Sequence, residues 1–188
     1  MPNWCNNFVQ IRHTDPTKLT ALAEAVREGK FCRFVLPLPQ ELVDTAAGHL
    51  GDGYAEELNQ FKRELNMKYF GSTDWYDWSV KNWGTKWDVE TDDDVSVENE
   101  LLSFGFDSAW SPPTGVYAAL VEQGYQVDAM YYEPGMGFCG RWIDGVDDCV
   151  EITGMTADEV ADTLDPDLDQ QFCISENMAQ WEEESRGE

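Results

Sequence analysis

From Leu102 to Trp110 the chain alternates. Leu102, Phe104, Phe106 and Trp110 are apolar, and Ser103, Gly105 and Asp107 between them are small or polar. A period of two places the apolar set on one face of a β-strand, and such a strand needs a sheet with that face against a core. The same alternation starts the chain, with Asn7, Val9 and Ile11 on one face and Phe8, Gln10 and Arg12 on the other. Two half-apolar strands this far apart in sequence demand further strands between or beside them, and helices to cover the apolar face.

Those helices are legible. Asp15-Pro16 opens one, since the carboxylate caps and Pro suits the first turn. Leu19, Leu22 and Val26 form its stripe, and Gly29 ends it. Phe31 to Leu36 is a short apolar run closed by Pro37 and Pro39, and stands where a second strand is expected. After a Gly-rich stretch, Tyr54, Leu58, Phe61 and Leu65 recur at helical spacing. Ser72 or Thr73 can cap a short helix in a segment dense in Trp75, Tyr76, Trp78, Trp83 and Trp87. A further helix follows Pro112-Pro113, and strands follow over Tyr125 to Tyr132, Phe138 to Ile143 and Cys149 to Ile152, the last two turning at Asp144-Gly145. Thr156 to Glu159 is a capping box, and a final amphipathic helix runs from about Asp169.

This order suits an α+β fold: a ferredoxin-like split βαβ core, an antiparallel sheet with helices on one face. Residues 1–152 form that domain, with a helical, Trp-rich insertion over about 45–87. Residues 153–188 form an acidic helical appendage.

Charge divides the chain more sharply than fold does. The whole sequence has 37 acids against 12 Lys and Arg, a formal charge of −25. Residues 1–87 hold 11 acids and 10 bases, whereas residues 88–188 hold 26 acids and two bases, Arg141 and Arg186. A field this one-sided attracts cationic surfaces and repels nucleic acid and anionic membranes. Solubility alone needs far less charge. A 13% aromatic content separates the chain from disordered acidic polymers.

Several chemistries are poorly served. The five cysteines are odd in number, widely spaced and without a CxxC, against a zinc or iron–sulfur site and against a disulfide framework, so no cofactor is expected. No apolar run approaches the roughly 20 residues of a membrane helix, and no secretory signal opens the chain. A cytoplasmic protein with reduced thiols is expected. Cys5 as a nucleophile requires a base, and the candidates are His13, at the end of the same strand, and His49, in a Gly-rich loop. Asp165, Asp167, Asp169 and Glu176 fall at positions 1, 3, 5 and 12 of a calcium-loop pattern, but position 6 is Gln170 where the turn requires Gly. The competing reading is an acidic turn with Asp169 capping the last helix. The Trp cluster reads as core packing rather than a base-stacking platform, because only Lys81 and Lys86 lie near it.

Four motifs carry a family resemblance: Met1-Pro2-Asn3-Trp4-Cys5-Asn6-Asn7; Val35-Leu36-Pro37-Leu38-Pro39; Trp75-Tyr76-Asp77-Trp78 leading to Asn82-Trp83-Gly84-Thr85-Lys86-Trp87-Asp88; and Phe104-Gly105-Phe106 leading to Ala109-Trp110-Ser111-Pro112-Pro113. Over about residues 1–152 the chain resembles the YubB-like proteins of phages and conjugative plasmids, which have a ferredoxin-like domain. That family has no assigned activity, so no site residue carries over. The resemblance implies a mobile-element origin and a role against host defences.

The expected function is therefore binding without catalysis. If residues 88–100 are extended, Asp88, Glu90, Asp92, Asp94, Glu98 and Glu100 form an acidic ladder on one face, unless Asp92-Asp93-Asp94 is a turn that splits it. Asp144, Asp147 and Asp148 form a second patch. Such a face would occupy a basic, nucleic-acid-binding groove on a host protein such as a restriction enzyme, a CRISPR complex or a nucleoid protein. The alternatives are a calcium-responsive or acidic-tail interaction module, and an enzyme using Cys5 or a carboxylate pair.

Overall fold

The computed structural model describes residues 3–91 and 95–186. Six strands form one antiparallel sheet: β1 (Trp4–Arg12), β2 (Ser96–Glu98), β3 (Leu101–Ala109), β4 (Gln126–Glu133), β5 (Phe138–Ile143) and β6 (Val146–Glu151), in the order β2-β3-β1-β4-β5-β6. The fold is α+β. β1 lies antiparallel to both β3 and β4. The helical segment between β3 and β4 therefore passes over β1, and the segment between β1 and β2 passes over β3. This interlocked order is compatible with a split βαβ core, extended at one edge by the β5–β6 hairpin.

Two of the three hairpins among the described residues turn as their residues dictate. Asn99 and Glu100 (φ 50° and 65°) join β2 to β3, and Asp144 and Gly145 (φ 45° and 102°) join β5 to β6. Two consecutive left-handed residues match the right-handed twist of the flanking strands.

The helices are α1 (Pro16–Arg27), α2 (Phe31–Val35), α3 (Gln40–Val43), α4 (Tyr54–Phe70), α5 (Trp75–Asn82), α6 (Thr114–Glu122), α7 (Ala157–Thr163), α8 (Pro166–Phe172) and α9 (Ile174–Arg186). One sheet face carries Val9, Ile11, Leu102, Phe104, Val127 and Ala129, and α1, α2 and α6 bury it. The short apolar run from Phe31 is helix rather than strand. Asp88 supplies the reason: its carboxylate accepts from the backbone N–H of Cys32 (2.7 Å) and of Arg33 (3.1 Å), satisfying donors that a helix start leaves open. Trp78 and Trp83 join this core, and the Trp83 indole donates to the Leu36 carbonyl (2.8 Å).

The second face is also used. Met130, Tyr132, Cys139 and Val150 point there, and Val160, Leu164, Leu168 and Ile174 of α7–α9 close over them. The acidic C-terminal segment thus lays an apolar side on the sheet. It covers only the β4–β6 half, because β1 and β3 offer Asn6, Gln10, Ser103 and Asp107 on that face. The cap of α5 falls one position later than expected: Asp74 accepts from Tyr76 and Asp77 N–H (both 3.1 Å). Asp15 caps α1, and Thr156 with Glu159 forms the capping box of α7. Among the described residues no helix is long and apolar enough to cross a membrane.

Candidate functional site

The uncovered half of the second face is a trough. Its floor is Phe8 and Gly105 with Asn6 and Asp107. One wall is α8, through Gln171 and Phe172, and the other is the segment holding Asp88 and Glu90. Trp4 stands at one end, 45% exposed, with its ring centroid 6.3 Å from that of Trp87. This cavity is about 580 Å³. A second hollow of about 450 Å³ continues past Phe8 and Gln171 toward Asp128, Arg141 and Asp167.

Carboxylates dominate both hollows. Asp107 accepts from the Asn6 amide (2.6 Å), which fixes its position on the floor. Burial pushes the Asp88 carboxyl above its ordinary range despite its backbone donors. Arg141, the one base among the described residues lining either hollow, is already engaged. Asp128 holds it with two bonds (2.9 and 2.7 Å), and Asp165 with a third (3.3 Å). Asp128 first, then the other acids, hold its guanidinium above the ordinary value. The cavity therefore offers negative charge and aromatic surface, a combination suited to a guanidinium or ammonium group.

A rim of rings continues from Trp4. Lys86 sits over Trp87 (4.3 Å to the centroid), Trp110 (5.3 Å) and Tyr76 (5.4 Å). Trp78 and Trp83 of the expected Trp cluster are core, whereas Trp87 and Trp110 are partly exposed. Spacing in the sequence did not separate these two sets. Asp107 and Asp128, central to the trough, were also missed. Each is one polar residue in an alternating strand, and nothing local distinguishes it.

Of the acids in the expected ladder, the described residues place Glu98 alone on a strand. Asp88 caps α2, Glu90 lies over Gly29 and in the trough wall, and neither belongs to a strand. Asp92 and Asp94 lie outside the described residues. Glu98 ends β2 and Glu100 sits in the hairpin turn. Asp144, Asp147 and Asp148 lie at the opposite edge of the sheet, five strand spacings from β2, or about 24 Å. Asp144 accepts from Val127 N–H (2.8 Å) and Asp147 from the Tyr131 hydroxyl (2.7 Å), so both have structural partners. Of the seven that are described, Asp88 and Glu90 line the trough.

The calcium-loop pattern does not form a loop. Its central residues are helix α8, capped by Asp165, which accepts from Asp167 N–H (2.8 Å). Asp169 accepts from the Ser175 N–H (2.8 Å) and hydroxyl (2.5 Å), tying α8 to α9. A helix spreads alternate carboxylates around its axis and cannot wrap them on one cation. Among the described residues no three His, Cys, Asp or Glu groups are placed to hold a metal ion.

Cys5 is fully buried, and burial pushes its thiol up to about 12. His13 stands at the far end of β1, about 27 Å away along the strand, where its ring accepts from Asp15 N–H (2.8 Å) and packs on Tyr125. The neighbouring Asn7 amide donates to the Cys5 carbonyl (2.7 Å) and to Ser108 (2.8 Å). The strand start is thus a buried polar network, and the charged groups acting on the thiol, Glu133 and Asp107, are carboxylates that raise it further.

No family model matches the chain, and no curated protein matches it. Among solved structures it is similar to a crystal structure of the protein api92 from Yersinia pseudotuberculosis, family-model DUF1281. The identity is 12% and the TM-score 0.41, over 80% of this chain and 98% of that one. Likeness at that level says nothing about a shared activity.

Proposed function

We propose that this is a binding protein that takes an arginine- or lysine-bearing segment of a basic partner into the trough. The observation that carries the reading is the cavity itself: Asp88, Glu90 and Asp107 face Phe8 and Trp4 across the open sheet. Asp167 extends the same charge beyond Phe8, where Asp128 is already paired with Arg141. The partner is a host protein whose basic surface normally holds nucleic acid. By occupying that surface the protein acts in the host cytoplasm as a charge mimic, a role suited to counter-defence. Restriction enzymes, CRISPR complexes and nucleoid proteins are the partner classes. The resemblance to YubB-like proteins of phages and plasmids belongs to the same reading. It acts by binding rather than catalysis.

The acids at the two sheet edges contribute the long-range field, and the trough contributes the contacts. Binding then weakens steeply with salt, and a DNA duplex competes for the partner. The test is a titration of the protein with an arginine-rich peptide, followed by its displacement of a duplex from a basic DNA-binding protein. Binding that is unchanged between 50 mM and 500 mM salt would falsify the reading.

A further inference from the structure

Helix α4 is packed inside out. Taking about 100° per residue, Tyr54, Leu58, Phe61 and Leu65 fall within about 60° of one another on its surface. A stripe of this kind ordinarily faces the core. Here Tyr54 is 78% exposed and Phe61 56%, with Tyr69 beyond them at 68%. The inward face is polar. Asn59 exchanges bonds with the backbone of Ala46 (3.0 and 3.3 Å), Asn66 donates to Thr45 and the Thr73 carbonyl (2.9 and 3.1 Å), and Arg63 pairs with Asp74 (3.3 Å). Hydrogen bonds hold this helix to the body and leave its apolar stripe to water.

We propose that the stripe is the seat of a homodimer in which α4 packs antiparallel against α4 of a second copy. Three features select a second copy. The first is shape. The stripe has a projecting ring, Tyr54, at its N-terminal end, and a hollow of about 650 Å³ beside Leu65, Tyr69 and Phe70 at its C-terminal end. The two ends are about 22 Å apart at the helical rise. A two-fold axis near Phe61 brings each Tyr54 to the other copy's hollow and sets Leu58 against Leu65, as an isologous contact requires.

The second is area. With aromatic side chains of roughly 150–250 Å² each, the exposed stripe amounts to about 600 Å² of apolar surface per copy. A standard interface takes about 800 Å² per partner, a little over half of it apolar.

The third is charge. Residues 1–87, which include α4, are near balance at 11 acids and 10 bases, so contact here avoids the acidic half of each copy. Glu56 and Glu57 lie in the first turn of the helix, and Lys62, Arg63 and Lys68 in its second half, with Glu64 the exception. Antiparallel pairing sets Glu57 near Lys68 of the second copy, twice over, and opposes the helix dipoles.

Sedimentation velocity of the full chain across about 5 to 500 µM tests this. A reversible dimer is expected, and it tightens with salt because screening relieves the repulsion between two bodies of −25 each. Phe61→Asp raises the dissociation constant at least about tenfold, with little change in the urea midpoint at concentrations where the chain is monomeric, because Phe61 is mostly exposed there. Glu57→Lys and Lys68→Glu each weaken the dimer, and combining them restores it. A monomer throughout the range overturns the proposal. So does a dimer that survives Phe61→Asp, or one that dissociates as salt rises. A double swap that fails to restore association overturns the antiparallel arrangement.

Discussion

Replacing Glu90 with Gln and Asp107 with Asn removes two charges from the trough and leaves its shape intact. A carboxylate and a guanidinium about 4 Å apart attract by roughly 4 kcal/mol at an effective dielectric of 20. Both groups are partly solvated, and desolvation and screening reduce the net value to about 1 kcal/mol each. The double variant should therefore bind an arginine-rich peptide about 25-fold more weakly, at near additivity. Trp4 lies in the cavity wall, so tryptophan fluorescence is a direct reporter. The control is Asp148→Asn with Glu151→Gln on β6, at the far edge from β2. It removes the same two charges from a total of −25. If attraction to the net charge were the whole effect, both double variants would lose the same small amount. Equal losses refute the trough as the site, and a loss of more than about tenfold confined to Glu90 and Asp107 supports it.

Three further outcomes are expected. Ile174→Ala hollows the layer between α9 and the sheet, where Ile174 is fully buried. It should cost about 3 kcal/mol and lower the urea midpoint by roughly 1 M in a single transition, and a separate early transition for the C-terminal helices would contradict their place in the core. In thiol labelling at pH 8, Cys149 and Cys173 react at once, whereas Cys5, Cys32 and Cys139 react only on unfolding; prompt labelling of Cys5 would revive a nucleophilic role. Burial raises the folded-state pKa of Asp88 above its unfolded value. Its favourable contribution is then present below the unfolded pKa and is lost as pH rises through the folded one. Asp88→Asn should gain stability relative to wild type between pH 3.5 and 7, read from urea melts at both ends, and the opposite trend would show that the Cys32 and Arg33 donors outweigh burial.

Elements set by neighbouring residues were legible in the sequence. The alternation in β1 and β3, the Asp144-Gly145 turn, the Asp15 cap and the Thr156 capping box each depend on residues within a few positions of one another. Elements set by distant partners were not. Asp88 reads as the start of an acidic strand, yet its partners are the N–H groups of Cys32 and Arg33, over 50 residues earlier. The 165–176 carboxylates match a calcium spacing, but Pro166 starts a helix there and Ser175 and Arg141 take up the charges. In α4 the 3.6-residue period identifies the helix correctly and says nothing about which side faces in. Asn59 and Asn66 settle that through loop backbone that the sequence does not place.

The sequence by itself determined that this chain has an α+β core and that its charge lies almost wholly in residues 88–188. Periodicity and composition are local properties, and folding does not alter them. Only the tertiary structure decided where the charge acts. Sheet order sends Glu98 and Asp148 toward opposite edges, while α8 and the segment at Asp88 and Glu90 enclose Asp107 beside Phe8. A site is made by proximity in space, and here that proximity comes from the sheet order and from packing the C-terminal helices over only half of the second face.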